Sequence, residues 1–161
     1  MTNISFACDH ISLEDVIKKH SDCPDQRNMS EIMKIQNISK QTKQYFDALI
    51  TSYNKFAMIK YILEKGENNM RETLSYVGPL YVNLGTDIMI LYFVNYSTQN
   101  KEVDKIRNDV LIKIKTLQND IIGLNEKYKK INCADNSYLF LLNIIKEINK
   151  SMEQYIKNAF T

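Results

Sequence analysis

The chain has 161 residues, enough for one domain that buries its own core without disulfides or metal. Its 21 basic and 19 acidic side chains leave a formal charge of +2, which gives no ground for nucleic-acid binding, and the lysines interleave with Asp and Glu as on a solvated helix face. Only four Gly and two Pro are present, so the composition speaks against tight hairpins and for long helices joined by short polar connections.

Residues 1–27 read as an N-terminal arm with a short helix, and 28–161 as a single helical-bundle domain. The first twenty residues lack a basic start followed by an apolar core, so no signal peptide is read and a cytoplasmic product is expected. Sequons at Asn3, Asn28, Asn37, Asn95 and Asn149 keep secretion as the alternative. Cys8, His10, His20 and Cys23 form the one candidate zinc cluster, because two Cys and two His supply a tetrahedral donor set. Their spacing fits no established zinc module. The arm is therefore expected to carry unrelated thiols and no metal or cofactor, with a Cys8–Cys23 disulfide reserved for a secreted protein.

Asn28–Glu31 has the pattern of a helix start, the Asn side chain accepting from backbone donors while Glu31 reaches back. Apolar residues then recur on one face through Ile32, Ile35, Phe46, Leu49, Tyr53, Phe56 and Ile62. Unbroken to Lys65, such a helix would exceed about 50 Å, so a break is expected near Ser39–Lys43 or near Asn54. Gly66 suits the left-handed position after a helix end. A short helix over 70–77 should stop at Gly78–Pro79, with Pro79 in the first turn of the next helix.

That next helix, 79–94, carries one formal charge, Asp87. A helix apolar nearly all round belongs in the middle of a domain or in a membrane. A span of about twenty apolar residues is reached only by including Ser75, Gly78, Asn83, Asp87 and Asn95, so a central core helix is expected and no membrane span. From Val103 through Ile106, Val110, Ile114, Leu117, Ile121 and Leu124, gaps of three and four alternate, marking one helix or two collinear ones with split points at Asn119–Asp120 and Gly123. After a turn at 132–137 the last helix repeats the pattern with Leu141, Ile145, Ile148, Met152, Tyr155 and Ile156. No segment alternates in polarity. The expected fold is all-α, a compact bundle of about six or seven helices around the central apolar helix.

Catalysis is not expected: the sequence has no Gly-rich phosphate loop, no nucleophile elbow and no His outside the N-terminal arm to act as a base. Val82-Asn83-Leu84-Gly85-Thr86, opening an apolar helix, resembles the Val-Asn-Trp-Gly-Arg signature that opens the central helix of the Bcl family of apoptosis regulators. The order of elements around it is also similar, as in the short, divergent Bcl-like proteins of poxviruses. The resemblance implies a Bcl-like bundle with a helix-binding groove formed by Phe46, Leu49, Tyr53, Asn83, Leu84, Gly85 and Thr86. Its partners would be host proteins, either a helical death-motif segment or a signalling adaptor, in a viral modulator of apoptosis or innate immune signalling; a homodimer is a further option. Leu84 stands for the family's Trp and Thr86 for its Arg, so the ion pair that captures pro-death helices has no counterpart. The alternative is a secreted four-helix cytokine, resembled by Ile122–Leu124, Tyr128, Cys133 and 155–160. That fold needs two long overhand connections, and the 132–137 turn is too short for one.

Overall fold

A computed structural model describes residues 26–66, 70–94, 96–97, 100–130 and 136–161, together with Lys18 and Cys23. Among the described residues there are five helices and no strand: α1 (Ser30–Met33), α2 (Lys40–Lys65), α3 (Met70–Val94), α4 (Lys101–Lys130) and α5 (Asn136–Ala159). The all-helical expectation holds. Within the described residues the helices are longer than expected because several anticipated breaks are bridged, and the short helix expected in the N-terminal arm lies outside the described residues.

The break before α2 is where the polar run predicts it. Ser39 takes an extended conformation and its side chain accepts from the Thr42 N–H at 3.1 Å, capping the helix. The Asn28 side chain accepts from the Ser30 N–H at 2.9 Å, but α1 begins after Met29, has no side-chain cap and lasts a single turn. Asn54 does not interrupt α2. Its amide is engaged outside the helix, donating to Arg27 O and accepting from Arg27 N at 2.7 Å each, so it does not compete for the local backbone.

Gly78 and Pro79 lie inside α3 without ending it. Pro79 lacks the N–H that would reach back to Ser75, a loss that ordinarily kinks or breaks a helix. Tertiary packing overrides it: Leu74, Val77, Leu80, Tyr81, Leu84, Ile88 and Leu91 make a continuous buried row on both sides of the proline. Each such side chain contributes on the order of 1.5–3 kcal/mol when fully buried. Asn83 adds a local support, its amide donating to Pro79 O at 2.9 Å. Gly66 also differs from expectation, with φ −94° rather than a left-handed value. It is glycine because α3 approaches closely: a Cβ there would sit 1.8 Å from Thr73 Oγ1, which donates to Gly66 O at 2.9 Å.

The long helices form two antiparallel hairpins laid side by side. In α2–α3, the first residues of one helix meet the last of the other, through Gln41 Nε2 donating to Val94 O. Helix α2 packs on α4 in the same direction, with Tyr45 near Arg107 at one end and Lys60 near Asp120 at the other. Helix α3 packs on α5, also in parallel, with Gly78 against Leu141, Gly85 against Ile148 and Tyr92 against Tyr155. These three pairs advance by one heptad at a time on both helices, the repeat of a left-handed coiled-coil seam. The connection from α3 to α4 therefore crosses the bundle end diagonally.

The helix with packing on most sides is α2, not the more apolar α3. Its buried set includes Thr42, Ser52 and Lys55 beside Tyr45, Phe46, Leu49, Phe56, Ile59 and Leu63. Ser52 enters the core because its hydroxyl donates to Ala48 O at 2.8 Å, and Lys55 because it meets Asp87. Helix α1 adds the fully buried Ile32 to the same core. One face of α3 stays open: Val82, Met89, Ile90 and Phe93 are exposed.

Candidate binding surface

The residues expected to line a groove separate in the structure. Phe46, Leu49, Tyr53 and Leu84 are buried members of the common core. Gly85 faces α5, where a Cβ would meet Ile148 Cδ1 at 3.1 Å, so its small size serves helix packing. Asn83 is half-buried and bonded to its own helix, and only Thr86 is exposed. The α2–α3 interface is closed, and the Lys55–Asp87 ion pair lies within it. Of the candidate zinc residues, Cys8, His10 and His20 lie outside the described residues, and Cys23 is buried against the core. Among the described residues there is no group of three or more His, Cys, Asp or Glu able to hold a metal.

At the end where the diagonal connection crosses, aromatic rings gather round one cation. Arg107 lies 4.5 Å from the Tyr96 ring centre and donates through Nε to the Tyr45 hydroxyl at 3.1 Å. The Tyr155 hydroxyl donates to that of Tyr45 at 2.8 Å, and Tyr96 donates to Asp104. Burial, followed by the Tyr155 interaction, pushes the Tyr45 phenol well above its ordinary value. Burial alone would lower Arg107, but its contacts with Tyr45 and Tyr155 outweigh that and raise it. The cluster thus keeps a neutral Tyr45 phenol and a fixed Arg107 cation across ordinary pH. It ties α2, α4 and α5 together.

Several clefts border α4 among the described residues, two of them larger than the one beside α1. One, of about 670 Å³ between α2 and α4, is lined by Lys60, Glu64, Asn119, Asp120 and Lys127 and is largely polar. The other, of about 530 Å³ between α4 and α5, is mostly apolar. The buried Ile156 lies at its base, while Ile112 (55 % exposed) and Phe160 (48 % exposed) stand at its sides. Gln118 lines the same cleft and donates to Asn149 O at 3.1 Å, joining the two helices. Lys115 and Lys157 place two cations on the rim against the single carboxylate of Glu153.

This cleft is absent from the sequence expectation, which followed the buried seam of α4 and passed over the residues beside it. The available signal was Ile112, an apolar side chain off the seam, and Phe160 beyond the last seam residue of α5. A comparison of the chain with protein families, curated proteins and solved structures finds no match.

Proposed function

We propose that this chain is a non-enzymatic protein-binding module that receives an amphipathic helix of a partner in the cleft between α4 and α5. The observation that carries the reading is the cleft itself: an apolar base between two exposed apolar side chains, with lysines outnumbering acids on the rim. A helix that binds such a groove presents apolar anchors at i, i+3 or i+4, and i+7. The rim lysines favour acidic residues on the flanks of that helix, which assist encounter and set orientation more than they add affinity. Apolar anchors supply the affinity, as in most protein interfaces.

The Val82–Thr86 resemblance supplies the field of action: a virus-encoded, cytoplasmic, Bcl-like modulator of host apoptosis or innate immune signalling. In a Bcl-like groove Gly85 would face the partner. Here Gly85 meets Ile148, so the reading keeps the process and moves the contact to the α4–α5 face.

A photo-crosslinking residue placed at Ile112 of the full chain, expressed in animal cells, tests this. Capture of a death regulator or signalling adaptor is expected, together with loss of capture when Lys115 and Lys157 are both replaced by Glu. No adduct, or adducts indifferent to the charge reversal, would count against the cleft.

A further inference from the structure

The exposed side of α3 is a second surface, remote in character from the α4–α5 cleft. Val82, Thr86, Met89 and Phe93 follow one another at steps of four, three and four, with Ile90 beside them. Phe93 is 88 % exposed, Met89 61 % and Val82 58 %. From Thr73 to Val94 the one charged residue is Asp87, and it is turned inward to Lys55. The outer face therefore carries apolar area with no charge to keep it in water.

From this face we infer that two copies of the chain associate through α3, the helices antiparallel and crossing between Thr86 and Met89. The four stripe positions are symmetric about that point. An antiparallel pair sets Phe93 of one copy against Val82 of the other, and Met89 against Thr86, so each large side chain meets a small one. A parallel pair would set Phe93 against Phe93 and Val82 against Val82, which crowds one end and leaves a gap at the other. The antiparallel arrangement is a two-fold contact in which the same patch serves both copies.

Area and length agree with this occupant. The stripe exposes on the order of 500 Å², more than half of the roughly 800 Å² per partner that a specific interface buries. It extends about 16 Å, three helical turns. The helix as a whole is long and apolar enough to cross a membrane, with 33 % of its most apolar window buried. A bilayer core of about 30 Å exceeds the exposed stripe, whereas a helix pair matches it.

Sedimentation equilibrium of the full chain at micromolar concentrations decides the matter. The expected result is a monomer–dimer equilibrium that Met89→Glu weakens by a hundredfold or so, since two unpaired carboxylates would enter an apolar contact. Ile112→Glu, on the other cleft, should leave the equilibrium unchanged. A mixture of Val82→Cys and Phe93→Cys chains should form disulfide-linked dimers that neither variant forms alone, with the unsubstituted chain run beside them to account for the native cysteines. A monomer at every concentration, a dimer indifferent to Met89→Glu, or crosslinking of Phe93→Cys with itself alone would overturn the inference. Sedimentation of a monomeric chain with phosphatidylcholine vesicles would overturn it too and assign the face to lipid. None of these results bears on capture at Ile112, so the two surfaces stand or fall separately.

Discussion

Lys55 of α2 and Asp87 of α3 form an ion pair buried between the two helices, their side chains 10 % and 12 % exposed. Asp87 is the single charge of an otherwise apolar segment, and Lys55 lies among core residues of the most enclosed helix. Each is tolerated because the other is present. A buried pair adds little net stability over apolar residues, but the loss of one partner strands the other charge.

Lys55→Ala, which strands the buried carboxylate, is expected to cost about 3–5 kcal/mol and Asp87→Ala less, whereas the double variant Lys55→Met with Asp87→Leu should recover most of the loss. Guanidinium unfolding of the four proteins measures the coupling directly. A double variant as unstable as the two single losses added together would show that the charges act independently.

The pair also has a pH signature. Burial raises the Asp87 carboxyl above its ordinary value, the Lys55 hydrogen bond and charge pull it down without cancelling that rise, and the Asp47 carboxylate adds to it. The folded chain therefore holds this proton more tightly than the unfolded chain does. The contribution is complete below the ordinary carboxylate value of 3.8 and is lost as pH rises through the higher folded value. Relative to the Lys55→Met, Asp87→Leu variant, the wild type should gain stability as pH falls from neutrality toward 3.8. Urea unfolding of both proteins across that range checks the sign, and a difference moving the opposite way would contradict it.

How much was legible beforehand depended on whether a residue acted locally or across the fold. The seams of α4 and α5 were readable because Val103, Val110, Ile114, Leu117, Leu141, Ile145 and Met152 repeat with a helix period and are all buried. The Ser39 cap was readable because its chemistry lies within three residues. Pro79 reads locally as a boundary, yet the packing that overrides it comes from other helices. Gly66 reads locally as a helix stop, whereas the approach of Thr73 that requires it is a tertiary fact. The apolar run of α3 suggested a central helix, yet α2, with Lys55 and Ser52, is the more enclosed one. Composition records how apolar a helix is; which neighbours cover it depends on partners distant in sequence. The α4–α5 cleft needed the position of Phe160 against Ile112, which no local pattern states.

Two glycines separate the close-approach account from general helix propensity. Gly66→Ala places a Cβ within 1.8 Å of Thr73 Oγ1 at the α2–α3 turn and is expected to cost on the order of 1–3 kcal/mol. Gly123→Ala has no atom within 4 Å of the new Cβ, on an exposed position of α4, and should stabilise by about 0.5–1 kcal/mol. Thermal unfolding should move Tm in opposite directions for the two, and a shift of the same sign in both would contradict the account.

In the proposed function the α4–α5 cleft, flanked by Ile112 and Phe160, receives a partner helix. The direct measurement is the affinity of the captured helical segment for the wild type, for Ile112→Asp with Phe160→Ala, and for Met89→Glu. Truncating or charging apolar anchors in the cleft should weaken binding by at least about tenfold, the scale of a single hot spot. Tm of the cleft variant should stay near that of the wild type, because both side chains are exposed, and Met89→Glu should bind as the wild type does. Unchanged affinity in the cleft variant, or an equal loss in Met89→Glu, would contradict the claim.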